Sequence, residues 1–124
     1  MKLDHVALGI HNVEAGIILY QTLGFTLRRR GKHYANGMPT AFITNPATGI
    51  DLELIEVAGM PAPSLLHLAF VVDDITSACQ KLLEDGYVFE REAFFNEGNR
   101  THMAFLRHPD GVVAQINQPE QSRV

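Results

Sequence analysis

Hydrophobic spacing changes from run to run along this chain, and the same succession of runs occurs twice. Residues 3–10 and 65–72 are mostly apolar and rich in β-branched side chains, as strands covered on both faces would be. Each is followed by good helix N-cap residues, Asn12 in the first half and Asp73-Asp74 in the second, and then by helical spacing. Ile75, Ala78, Cys79, Leu82 and Leu83 form an i, i+3, i+4, i+7, i+8 stripe, and Val13, Ile17 and Tyr20 occupy three of the equivalent positions. A glycine ends each helical run, Gly24 or Gly86, where a left-handed C-terminal cap is expected. Three shorter strand-like runs complete each half: 26–30, 40–44 and 50–57, then 88–92, 101–107 and 112–116. Turns at Pro46-Ala47-Thr48-Gly49 and His108-Pro109-Asp110-Gly111 separate the last two runs of each half. The predicted order is βαβββ, twice.

The residues themselves repeat as well. Asp4-His5-Val6-Ala7-Leu8 resembles Leu66-His67-Leu68-Ala69-Phe70 at an offset of 62 residues. The same offset carries Gly24-Phe25 to Gly86-Tyr87, Phe42 to Ala104, Gly49 to Gly111, and Glu53-Leu54 to Gln115-Ile116, so register is expected to hold through each half without a gap. The expectation is one α+β domain over residues 1–124, with modules at about 1–58 and 63–118 and a tail at 119–124. Gly59-Met60-Pro61-Ala62-Pro63-Ser64 suits a connector between the modules.

Composition narrows the class. Apolar residues at 46% and charged residues at 19% fit a soluble globular chain, and no run approaches the ~18 apolar residues of a membrane span. Asp4 and His5 stand where a signal peptide needs an apolar run, so the expected location is the cytoplasm. A net charge of −4 argues against nucleic acid or an anionic membrane as partner. One cysteine excludes an intrachain disulfide and suits a reducing compartment. Cys79 lies on the apolar stripe with no neighbouring cation, and reads as core.

The most informative chemistry lies at matching positions. His5 and His67 sit mid-strand, and 48 residues after each comes a polar residue of the last strand, Glu53 or Gln115. Imidazole nitrogen with carboxylate or amide oxygen suits one divalent ion, Ni, Zn, Co, Mn or Fe, without the thiolates of a structural zinc site. A lone strand histidine or glutamate reads as a satisfied polar residue of a sheet, but four at duplicated positions read as metal ligands. Glu56 falls on the opposite strand face from Glu53. Arg28, Arg29 and Arg30 read either as contacts for an anionic substrate or as a solvated edge strand. His11 reads as surface. His33 and Tyr34 lie in a loop that either covers a cavity or is simply exposed. His102 alternates with Ala104 and Leu106, and either faces a cavity or lines the sheet. Asn99 and Arg100 offer contacts for an anion. There is no Gly-x-Gly-x-x-Gly, Walker or Gly-x-Ser-x-Gly element.

Asp4-His5-Val6, Leu23-Gly24-Phe25, Gly49 through Glu53-Leu54, His67 through Asp74, Arg91-Glu92-Ala93, and Ala104-Phe105 through Gly111 together resemble the vicinal oxygen chelate superfamily. This group holds glyoxalase I, bleomycin-resistance proteins and extradiol dioxygenases, and the resemblance runs from Leu3 to Gln118. The chain is most similar to small bacterial glyoxalase I-like proteins. That resemblance implies two tandem βαβββ modules forming a curved, partly open mixed β-sheet barrel around a metal or ligand cavity, in a homodimer. It implies metal ligation by His5, Glu53, His67 and Gln115, with Glu53 also shuttling a proton. The implied activity is that of a lyase or isomerase passing through an enediolate. Its substrate would be a small molecule, a thiol adduct among the candidates, that chelates the ion through vicinal oxygens. His102, Arg100 and Tyr34 are the candidate substrate contacts. Bacterial glyoxalase I normally has Glu where this chain has Gln115, whereas methylmalonyl-CoA epimerases carry one Gln and one Glu, with the Gln in the first half. Gly9 stands where glyoxalase I commonly has an arginine for glutathione, and Val57-Ala58-Gly59 does not match its Asn-Trp-Gly-like segment. On the same scaffold the alternatives are an Fe(II) extradiol-type dioxygenase, an epimerase, or a metal-free bleomycin-resistance-type binding protein. Retention of His5, Glu53 and His67 weighs against the last.

Overall fold

The computed structural model describes residues 1–108, 111 and 113–120. In chain order the elements are β1 (Lys2–Ile10), α1 (Val13–Thr22), β2 (Thr26–Lys32), β3 (Pro39–Asn45), β4 (Ile50–Glu56), β5 (Ser64–Val71), α2 (Ile75–Glu84), β6 (Phe89–Asn96), β7 (Thr101–Arg107) and β8 (Val113–Pro119). This is the predicted βαβββ order, twice. Contacts divide the chain into two compact units, His5–Leu66, and Met1–Asp4 together with the chain from His67 onward. The first four residues therefore group with the second unit and not with the module that follows them. Two parts of the sequence reading lie outside the described residues: Pro109, Asp110 and Val112 at the second turn, and 121–124 of the tail. β8 runs to Pro119, and the Glu120 N–H donates to the Arg100 carbonyl at 3.0 Å. Among the described residues, no helix is long and apolar enough to cross a membrane.

Each unit is a mixed sheet with a helix on one face. In the first the strand order is β2-β3-β4-β1, with β1 parallel to β4 and the other pairs antiparallel. In the second it is β5-β8-β7-β6, again with one parallel pair, β5 and β8. The helices start for the same reasons in both. Asn12 Oδ1 accepts the Ala15 N–H at 2.9 Å, and Asp74 Oδ1 accepts those of Thr76 and Ser77 at 3.0 and 3.3 Å. A helix start leaves several amides unsatisfied. A second cap therefore comes from the end of the last strand: Glu56 Oε1 accepts the Val13 N–H at 3.1 Å, and Gln118 Oε1 accepts the Ile75 N–H at 2.9 Å. Gly24 and Gly86, at φ of 100° and 93°, end the helices in the left-handed conformation the sequence reading expects.

Helix packing fixes which strand face is which. Val13 and Ile17 of α1 bury against Ala41, Ile43 and Leu54, while Ile75 of α2 buries against Ala104 and Ile116. Cys79 joins the second cluster, where burial pushes its thiol pKa up and keeps it protonated. Gly16 is the gap in the α1 stripe, and its missing Cβ is where Ile10 Cδ1 packs against the helix. With Leu52, Leu54 and Glu56 facing α1, and Ala114, Ile116 and Gln118 facing α2, Glu53 and Gln115 point from the opposite face of their sheets.

The repeat is not gapless. Phe42 pairs with Glu53, and the residue paired with Gln115 is Phe105. Phe42 therefore corresponds to Phe105, and the expected match to Ala104 is corrected by one residue. Thr44 pairs with Asp51, whereas Arg107 pairs with Val113, so the second hairpin connection is one residue shorter. A β-bulge also interrupts each outermost strand, between Leu27 and Arg29 in β2 and between Phe89 and Arg91 in β6. These bulges set Arg29 opposite Phe42 and Arg91 opposite Phe105.

Candidate functional site

In the first unit Ala7 lies opposite Glu53 on the parallel pair β1–β4. His5, two residues before Ala7, therefore shares a face with Glu53. The two side chains meet: His5 Nε2 lies 3.4 Å from Glu53 Oε1, with His5 only 5% exposed and Glu53 16%. That distance is long for a strong hydrogen bond. It matches the separation of about 3.4 Å between two ligand atoms that each sit about 2.1 Å from one ion at a tetrahedral angle. Phe42, on β3 opposite Glu53, forms a T-shaped ring pair with the His5 imidazole, with centroids 5.0 Å apart and planes at 83°. The Arg29 guanidinium lies 4.4 Å from the centre of that ring.

The second unit repeats the backbone arrangement. Ala69 lies opposite Gln115 on β5–β8, and His67 is again two residues before the paired alanine. Gln115 is 5% exposed. Its Nε2 donates to Met103 Sδ at 3.8 Å, and the same sulfur receives Asn96 Nδ2 at 3.6 Å and Asn99 Nδ2 at 3.8 Å. With Nε2 donating to Met103, the buried carbonyl oxygen Oε1 has no hydrogen-bond partner among the described residues. A buried acceptor left this way costs roughly 1–3 kcal/mol. A cation is a ligand such an oxygen can hold, so the donors present, imidazole nitrogens with carboxylate and amide oxygens, fit a divalent metal. Asn117, two residues further along β8 and on the same face, is 3% exposed and its Oδ1 is likewise unpartnered. Sequence reasoning passed over Asn117, although its alternation with Gln115 was the available signal.

The remaining candidates lie as follows. His102 keeps the predicted alternation with Ala104, but Ala104 packs against α2, so His102 stands on the helix side, while Met103 and Phe105 share the face of Gln115. The His102 ring lies 4.8 Å from that of Phe95. Arg100, at φ 54°, is exposed and forks onto Glu120 at 2.6 and 2.8 Å, with Glu97 at 3.4 Å. This pairing holds the Glu120 carboxyl below its usual range. Tyr34 is exposed and stacks on His33 with centroids 4.7 Å apart. His11 is exposed, with Nε2 2.8 Å from the Met60 carbonyl oxygen. Gly9 sits in a tight place: a Cβ would meet Ser64 Oγ at 2.7 Å, Val57 Cγ2 at 3.2 Å and Leu66 Cδ2 at 3.3 Å, so a side chain there requires its neighbours to shift.

Known proteins resemble this chain over two thirds of its length or more. A probable lactoylglutathione lyase of Vibrio cholerae is 27% identical over 128 residues, covering 98% of this chain and 93% of its own. A lactoylglutathione lyase of Neisseria meningitidis is 30% identical over 126 residues, covering 95% and 91%. An ethylmalonyl-CoA/methylmalonyl-CoA epimerase of Cereibacter sphaeroides is 33% identical over 95 residues, covering 68% and 71%. The fold matches the crystal structure of methylmalonyl-CoA epimerase from Mycobacterium tuberculosis with a TM-score of 0.82 at 21% identity, over 97% of this chain and 89% of that one. A family profile for the Glyoxalase/Bleomycin resistance protein/Dioxygenase superfamily matches residues 2–116, from the start of β1 into β8. With the α+β order of two βαβββ modules beneath that match, the chain belongs to the Glyoxalase/Bleomycin resistance protein/Dioxygenase superfamily.

Proposed function

We propose that the protein is a glyoxalase I-like lyase or isomerase in which His5, Glu53, His67 and Gln115 supply the ligands of one divalent ion. Its substrate is a small molecule with oxygens on adjacent carbons, acted on by a homodimer. The observation that carries this reading is the buried, unpartnered Gln115 carbonyl oxygen, held on β8 in the register that Glu53 occupies on β4. When bound, the ion supplies Lewis acidity that draws negative charge onto the chelating oxygens. Two imidazoles, one carboxylate and one amide leave a divalent site with a net charge of about +1, against about 0 with two carboxylates.

The chain's own residues divide the remaining work. Glu53 is the one carboxylate of the four, so it takes a proton from the carbon beside a carbonyl and returns it to the neighbouring carbon. An amide cannot take that part, and Gln115 is left to bind. Phe42, set against the His5 imidazole, keeps water from that side of the pair. A single base suits transfer between neighbouring carbons on one face of the substrate. Epimerisation, which needs a proton removed from one face and delivered to the other, is the second reading, favoured by the 33% identity to the Cereibacter epimerase.

Metal analysis after purification and reconstitution tests the proposal, with turnover of the methylglyoxal–glutathione adduct and of methylmalonyl-CoA compared on the loaded protein. Stoichiometric metal and turnover of the first adduct are expected. No stoichiometric metal after reconstitution would sink the reading. Oxygen uptake with catechols would move the protein to the dioxygenases.

A further inference from the structure

The three consecutive arginines of β2 are engaged differently. Arg28 pairs with Asp51, and Arg30 forks onto Glu14 of α1 at 2.8 and 3.0 Å. Arg29 has no carboxylate partner among the described residues, in a chain of net charge −4. Its guanidinium lies instead over Phe42, 4.4 Å from the ring centre, and the His5 ring lies 5.0 Å from that same centre. The bulge after Leu27 places it there, by setting Arg29 opposite the residue that faces Glu53. The second unit has a partial parallel: the bulge after Phe89 sets Arg91 opposite Phe105, but its guanidinium lies over Phe94 of its own strand, 3.4 Å from the ring centre. Charge and a bulge both serve to protect a sheet edge, but neither calls for a guanidinium laid over the one ring that also meets the His5 imidazole.

We propose that Arg29 anchors an anionic group of the substrate, a carboxylate carried a few carbon atoms from the oxygens that chelate the metal. This rests on the metal reading of His5 and Glu53 given above. A guanidinium held over an aromatic ring keeps its N–H edges free for a carboxylate and has already lost much of its rotamer freedom. The separation of guanidinium and His5 ring is bounded by the sum of the two ring distances, which sets the short reach of the substrate. Arg29 is thus a specificity residue, selecting acids over neutral molecules with the same chelating group.

The test uses two hydroxamates that share their vicinal oxygens and differ in one carboxylate: acetohydroxamic acid and succinic acid monohydroxamate. Both are titrated calorimetrically into the nickel-loaded protein. Wild type is expected to prefer the carboxylate-bearing ligand by about tenfold, the size of one charge-assisted contact. Arg29→Gln abolishes that preference and leaves acetohydroxamate binding unchanged, Arg29→Lys keeps part of it, and Arg28→Gln keeps all of it. A preference that survives Arg29→Gln, or equal weakening of both ligands, overturns the proposal. Failure of both ligands to bind wild type would instead remove the metal reading on which the proposal stands.

Discussion

The two halves share a frame nearly residue for residue and differ in what the frame holds. Caps at Asn12 and Asp74, strand-end caps at Glu56 and Gln118, and terminal glycines at Gly24 and Gly86 all recur at one spacing. These features satisfy backbone groups, and each half needs them in order to fold. On the face away from the helix the correspondence breaks. Glu53, Ile55 and Thr40 of the first half stand where Gln115, Asn117 and Met103 stand in the second. One half offers a carboxylate, and the other an amide steered by a thioether. Repetition preserves the scaffold and a histidine in each half, while the residues that share a sheet face with those histidines have diverged.

Making the halves alike is the strongest way to break that comparison. Glu53→Gln leaves two amides and no base, and turnover of the metal-reconstituted protein is expected to fall by roughly 10²–10⁴ with its thermal midpoint unchanged. A loss under tenfold would take the proton-transfer role away from Glu53. Gln115→Glu works in the opposite direction, by supplying a second carboxylate. Metal affinity is expected to rise by about tenfold, read by competition with a chelator, and turnover of the methylglyoxal–thiol adduct to rise with it. If neither changes, the account of Gln115 as a neutral ligand fails.

Much of the frame was legible because backbone requirements leave local marks. Asn12, Asp74, Gly24 and Gly86 are residue types chosen by amide geometry, and each stands where its type predicts. The Phe42 correspondence was missed because a hairpin can lose one residue without changing the apolar character of either strand. His102 shows a second limit. Alternation groups it with Ala104, but a strand apolar on both faces does not say which face meets the helix, and here Ala104 does. Asn117 is marked in the sequence only by its alternation with Gln115. Nothing in Arg28-Arg29-Arg30 separates the arginine without a carboxylate partner among the described residues from its two ion-paired neighbours, because a sequence lists no partners.

The strand-end caps give a smaller contrast, one in which the halves should agree. Glu56→Ala and Gln118→Ala each free one helix-start amide, and each is expected to destabilise the protein by about 1 kcal/mol in urea unfolding. A cost confined to one of them would show that the two βαβ closures are not equivalent.

The last contrast is between a neutral cap and a charged one. Asp74 accepts the N–H groups of Thr76 and Ser77 and the Ser77 hydroxyl, and these bonds hold its carboxyl below the usual aspartate range. The folded protein therefore resists protonation at this residue more than the unfolded chain does. Its contribution is complete above the unfolded pKa and is lost as pH falls through the folded one. The Asn12 amide does not titrate, so the start of α1 should keep its cap in acid while that of α2 loosens. Hydrogen exchange at Ala15 against Thr76 and Ser77 reads the two ends separately, in high salt that screens the exposed Glu14–Arg30 and Glu120–Arg100 pairs. Asp74→Asn is expected to remove the acid-dependent difference, slightly loosening α2 at neutral pH and leaving it insensitive to acid. Equal protection of both ends in acid would mean that hydrogen-bond geometry, and not charge, does the capping at Asp74.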